Sequence, residues 1–169
     1  MAAAFLRRDG KFLMMKRAMT RELSPGKWAA VGGHVEPGEM ATPEAACRRE
    51  ILEEAGLAET DLRDLRLQCV ILRLFRDVEI RQQFIYFGET NTESVRQSDE
   101  GELFWIPEDR VMDLDMPQTT RLILGRYLAG GFDRNLLYLG VSKAGRGDDT
   151  VEWTTIEDFD LPPRGVSLA

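Results

Sequence analysis

The chain has 169 residues, 43% of them hydrophobic and 30% charged, enough to bury the core of one compact domain with an appendage. It lacks the long uncharged apolar run of a transmembrane helix, which excludes that class. A formal net charge of -7, with basic residues scattered rather than clustered, argues against a nucleic-acid backbone as partner, although an acidic chain can still bind a polyphosphate through divalent metal.

In chain order, the apolar opening stops at Arg7-Arg8, too soon for a signal peptide, and reads as a first strand. Residues 5–8 and 11–16 form two strands joined by a tight Asp9-Gly10 turn. Residues 17–27, polar and carrying Pro25-Gly26, are a loop; residues 28–31 are a short apolar strand ending at Gly32-Gly33. A second loop passes through Pro37-Gly38. Thr42 as N-cap and Pro43 at the first helical position start a helix, and Gly56 ends it in a left-handed cap.

Residues 65–77 and 79–89 alternate as strands, 88–101 are a polar loop, and 103–106 form a strand broken by Pro107. Residues 119–128 carry apolar groups at helical spacing and stop at Gly130-Gly131. Residues 136–141 and 151–155 flank a polar stretch, 143–149, as a hairpin with a long tip. A tail with Pro162-Pro163 is expected to be poorly ordered at its end. Cys47 and Cys69 provide neither a disulfide framework nor metal-ligand spacing, which points to a reducing cytosol.

The chemistry is concentrated in Arg49-Glu-Ile-Leu-Glu-Glu-Ala-Gly56. At about 100° per residue, Glu50, Glu53 and Glu54 share one helix face, bordered by an apolar stripe of Cys47, Ile51 and Ala55. Carboxylates crowded beside a core repel one another and resist desolvation, and a hard divalent cation relieves both. A solvated acidic helix face is the alternative for the helix alone. Upstream, Gly32-Gly-His-Val-Glu-Pro-Gly-Glu39 places a glycine-rich turn where backbone can approach a ligand closely.

Together these stretches resemble the Nudix box of the MutT-like Nudix hydrolases, G-x5-E-x7-R-E-U-x-E-E-x-G-U, where U is bulky and aliphatic. Gly33, Glu39, Arg49-Glu50-Ile51, Glu53-Glu54 and Gly56-Leu57 occupy its fixed positions. One departure is that residues 40–48 put nine residues, not seven, between Glu39 and Arg49. The helix start keeps its usual distance from Arg49, so the insertion is placed at Met40-Ala41. A Pro-Gly-x-Trp approach to Gly-Gly and a later Glu-Gly-Glu-x-x-Trp extend the likeness over residues 1–130. The resemblance implies an α/β/α sandwich with a mixed sheet, followed by a C-terminal β-hairpin extension, residues 131–169, packed on the same domain.

It also implies hydrolysis of a phosphoanhydride in a nucleoside diphosphate derivative, most simply a nucleoside triphosphate or an oxidised nucleotide giving a monophosphate and pyrophosphate. Mg²⁺ or Mn²⁺ would be held by Glu50, Glu53 and Glu54 with a carbonyl of Gly32 or Gly33, and Arg49 would hold Glu50 in place. The general base is Glu53, Glu54 or a loop acid among Asp99, Glu100 and Glu102, of which Glu100 is favoured. His34 contacts substrate or solvent. Lys16 and Arg17 reach phosphates or end a solvated strand, and Trp28, Phe84 and Tyr86 stack on a base or pack. The partner is a small nucleotide, in the cytoplasm and away from membrane, with a homodimer left open. Two other readings are a non-catalytic nucleotide-binding module, against which the intact glutamates argue, and an RNA-end pyrophosphohydrolase, which lacks its basic stripe.

Overall fold

The computed structural model describes residues 1–143 and 150–157; the expected polar tip, apart from Lys143, and the Pro162-Pro163 tail lie outside them. Among the described residues there are nine strands: β1 (Ala2–Arg8), β2 (Lys11–Arg17), β3 (Trp28–Ala29), β4 (Val31–Gly33), β5 (Leu62–Phe75), β6 (Glu79–Thr90), β7 (Gly101–Pro107), β8 (Leu137–Ser142) and β9 (Val151–Ile156). Two α-helices, α1 (Pro43–Ala55) and α2 (Gln118–Leu128), lie among them.

The first hairpin closes through Asp9 and Gly10, both with positive φ (48° and 70°), and pairs Leu6 with Leu13. Past that register β1 and β2 diverge. All of β2 pairs with β7 on one edge; its other edge meets β1 at Lys11–Leu13 and β3 at Met15 and Lys16. β4 then pairs with Ala2, Ala3 and Ala4 of β1. The single strand expected at 28–31 is therefore two, with Ala30 as the pivot between them. This crossing delivers Gly32 and Gly33 to the start of β1.

β1 pairs parallel with β6, β6 antiparallel with β5, and β5 parallel with β8, so one mixed sheet runs from β3 to β9. Alternation along the strands sorts the side chains into two cores. Ala2, Ala4, Leu6, Leu13, Met15 and Tyr86 face Ala46, Cys47, Ile51 and Ala55 of α1. Phe5, Phe12, Met14, Ile71, Ile85 and Phe87 face Ile123 and Leu124 of α2. The α/β/α sandwich implied by the resemblance is the observed architecture.

Two details of β5 and β6 depart from the expected strands. Gln68 is an extra residue between the pairs Leu67–Tyr86 and Cys69–Ile85, and this bulge switches which face the following residues occupy. Its amide donates to the carbonyls of Asp133 and Leu136, both at 3.0 Å, fixing the approach to β8. The connection to β6 turns through Arg76 and Asp77, non-glycine residues with φ of 51° and 62°, which explains why no Gly-Pro signal marked it. β8 and β9 extend the main sheet itself. On the α1 side, beyond that helix, Leu74, Ile80, Val141 and Ile156 are exposed. Among the described residues no helix is long and apolar enough to cross a membrane.

Candidate active site

Helix α1 starts at Pro43 as its sequence requires, although the Thr42 side chain makes no capping hydrogen bond. It ends at Gly56, whose left-handed φ of 72° lets its N–H reach the Leu52 carbonyl at 3.0 Å. Arg96 satisfies the open carbonyls of the last turn, donating to Leu52 (3.1 Å) and Glu53 (2.8 Å), while its own N–H bonds Ala55 O at 2.8 Å. Residues 91–100 are thereby fastened to the helix end.

Cys47, Ile51 and Ala55 are fully buried, and the neighbouring glutamates are graded by depth. Glu54 is 3% exposed. Its Oε2 accepts the Gly32 N–H at 2.7 Å, while Oε1 is buried without a hydrogen-bond partner. Burial pushes its carboxyl up to about 8; the Gly32 N–H opposes the shift, and the charges of Glu100 and Glu50 add to it. Glu50 is also raised, first by burial, against the pull of Arg49. Glu53 stands outermost, its side chain 57% exposed.

Gly32 is required where it stands, and Gly33 leaves room for Glu50. Gly32 has a φ of 150°, and a Cβ there would overlap the backbone of Ala2. A Cβ on Gly33 would overlap the Glu50 carboxylate. Arg49 gathers the remaining groups. Its guanidinium holds Glu39 with two bonds (2.9 and 3.0 Å) and reaches Glu50 Oε1, Glu53 Oε2 and the His34 carbonyl, each at 3.0 Å. This pair holds the Glu39 carboxyl down to about 2, chiefly through the Arg49 hydrogen bonds, and raises Arg49 in turn. Met40 and Ala41 form a turn closed by the Thr42 N–H on Glu39 O (2.9 Å), so Glu39 reaches Arg49 across the insertion.

A cleft of about 430 Å³ opens over this cluster. Gly32, Gly33, His34, Arg49, Glu50 and Glu100 lie on its lining together with Arg17, the last residue of β2, and Arg21 of the segment that follows. Of the three loop acids, Glu100 is the one on the cleft, and its backbone carbonyl accepts the Ala18 N–H at 2.9 Å.

Other expected substrate contacts lie elsewhere, because strand alternation assigns their faces. Lys16 follows Phe12 and Met14 onto the α2 side of β2. Trp28 packs in the α2-side core with its ring 5.5 Å from Phe104. Tyr86 is 1% exposed beneath α1, which makes it a core residue, and Phe84, partly buried, packs against the same core. Arg21 escaped the sequence reading; no motif marks it, and only the folding of residues 18–27 over the cleft brings it to Glu100.

The donor set fits a divalent cation. An unpaired buried carboxylate oxygen on Glu54 and a desolvated Glu50 are sites where added positive charge is favourable. As arranged, Glu50 and Glu53 turn to Arg49, and among the described residues no three acidic, histidine or cysteine groups converge on one point.

The comparisons agree with this geometry. A nucleoside triphosphatase NudI of Enterobacter sp. (strain 638) is 31% identical over 132 residues, covering 69% of this chain and 87% of that protein. The fold is shared with a mutator MutT protein of Bacillus halodurans, at a TM-score of 0.63 and 21% identity over 91% of this chain and 95% of that one. A MutT NUDIX hydrolase of Burkholderia pseudomallei superposes at a TM-score of 0.56 with 31% identity, over 73% of this chain and 93% of its own. The NUDIX domain family matches residues 1–126, and the chain accordingly belongs to the Nudix family as a pyrophosphohydrolase.

Proposed function

We propose that the protein is a cytoplasmic, metal-dependent hydrolase of a nucleoside triphosphate or an oxidised nucleotide, releasing a monophosphate and pyrophosphate. The observation that carries this reading is Glu54, buried with one carboxylate oxygen unpartnered and bonded to Gly32, itself on the lining of a cleft that also presents Glu50, Arg17 and Arg21. The name of the Enterobacter relative, a nucleoside triphosphatase, supports the substrate class. Two free, buried cysteines accord with a reducing compartment.

Glu50, Glu53 and Glu54, with a carbonyl of Gly32 or Gly33, would hold Mg²⁺ or Mn²⁺. When bound, the cation neutralises phosphate charge and acidifies a water. The chain's own residues do the rest. Arg49 orients Glu50 and Glu53 through its two Nη1 contacts and is itself oriented by Glu39. The Arg17 guanidinium, whose Nε is held by the Leu23 carbonyl at 3.0 Å, places positive charge beside the phosphates. Glu100, on the cleft and clear of the helix, takes the proton of the attacking water at a carboxylate oxygen. Water oxygen bonds to phosphorus as the bridging P–O bond breaks, and the pyrophosphate departs.

A screen with added magnesium or manganese tests this reading. Nucleoside triphosphates, oxidised triphosphates, nucleotide sugars and dinucleoside polyphosphates would be compared, with phosphate and pyrophosphate release both scored. Pyrophosphate from a triphosphate, lost in chelator, is the expected result. Full turnover by stripped protein in excess chelator would overturn the metal dependence, and turnover confined to nucleotide sugars would overturn the substrate class.

A further inference from the structure

The cleft lies between two segments that each bring charged groups to its lining. One, helix α1, brings Arg49 and Glu50; the other, residues 18–27, brings Glu22 and Arg21, whose turn is closed by its N–H on Ala18 O at 3.1 Å. Arg21 Nη1 meets Glu100 Oε1 at 2.9 Å, with both side chains just over one third exposed. Glu100 lines the same cleft as Glu50, so the ion pair joins the arginine segment to the side of the cleft that carries the carboxylates. Glu100 is thus pinned twice by one segment, at its carbonyl by Ala18 and at its carboxylate by Arg21. The backbone pin leaves the ion pair free to exchange.

From this juxtaposition we infer that Arg21 is a specificity-determining residue, which trades Glu100 for the outer phosphates of the substrate. The inference rests on the phosphoanhydride reading above. An exposed carboxylate–guanidinium pair is worth only about 0–1 kcal/mol, so it yields readily to a phosphate group carrying more charge and matching the arginine fork. The exchange has two effects. It selects substrates with a phosphate chain long enough to reach residue 21, and it releases Glu100 toward the carboxylate cluster only when such a chain is present.

The test uses the full chain and the best triphosphate substrate of the wild-type protein. Arg21→Ala should raise KM about tenfold or more while kcat changes less than threefold, and Arg21→Lys should recover part of the loss. Calorimetric titration with inorganic pyrophosphate and magnesium gives a readout independent of turnover. Binding should weaken in Arg21→Ala, strengthen up to about fivefold in Glu100→Gln as the competing pair is removed, and show no such gain in the double variant.

An unchanged KM and pyrophosphate affinity in a folded Arg21→Ala protein would overturn the proposal. So would a fall in kcat alone, which would make Arg21 merely a prop for Glu100. If the wild-type protein turned over no triphosphate yet Arg21→Ala still lost pyrophosphate, the phosphate contact would stand and the substrate reading would fail.

Discussion

Arg49 spends all five of its guanidinium N–H groups on four residues, an arrangement that lysine, with three donors on one atom, cannot reproduce. Glu53 is the most exposed of its carboxylate partners, so Glu53→Gln should fold normally by circular dichroism. Its kcat should nevertheless fall at least about 100-fold, the upper end of what a residue merely supporting a metal ligand costs; a folded variant with near-normal turnover would remove Glu53 from the metal site. Glu54 predicts a pH dependence. Unfolded, it ionises near 4.5; folded, only at about 8. Folding therefore retains a proton across that window, and in metal-free protein the stability present below 4.5 is lost as pH rises through about 8. Thermal unfolding in chelator should show this decline, and Glu54→Gln should flatten it. The register of the three glutamates on α1 was legible because it depends only on helix geometry. The bond from Glu54 to Gly32 was not, since it requires β4 to pair with the start of β1.

At the scale of elements, α1 is tied down at both ends by loops. Arg96→Ala removes two hydrogen bonds to the last turn, a loss of about 1–2 kcal/mol. At about 2–4 °C per kcal/mol for a domain of this size, calorimetry should record a modest drop in Tm. Turnover should fall more than substrate binding, because the same loop carries Glu100. An unshifted Tm would deny the capping role. At the other end, deleting Met40 and Ala41 should be tolerated, since the cost of loop closure depends weakly on length. Glu39 needs only to reach Arg49 again, and activity is expected within about tenfold of normal; a well-folded deletion variant with a collapse in kcat would show that the turn itself positions Glu39. The elements were readable where local chemistry dictates them, as at Asp9-Gly10 and Gly56. They were misread where long-range pairing decides. Trp28 and Val31 look like one apolar strand but join different neighbours, and the Gln68 bulge cannot be seen from alternation alone. The same limit applies to Tyr86 and Trp28, for which stacking and packing were both open until their strand faces set Tyr86 in one core and Trp28 against the other.

For the molecule as a whole, the sheet is wider than the helix that covers its α1 side, leaving Leu74, Ile80, Val141 and Ile156 in contact with solvent. Apolar faces of this kind attract one another, and in a protein with a net charge of -7 the shared negative charge keeps copies apart. That repulsion is adjustable. It vanishes as pH approaches the isoelectric point near 4.9, and salt screens it over about 10 Å at 0.1 M. Light scattering at low ionic strength should therefore show particle size rising reversibly below pH 6, and Ile80→Lys or Val141→Lys should delay the onset relative to the wild-type protein by interrupting the face. Growth unaffected by either change would place the sticking surface elsewhere. The width of the sheet thus sets the colloidal window in which the enzyme can be handled: dilute, well above its isoelectric point, and in little salt.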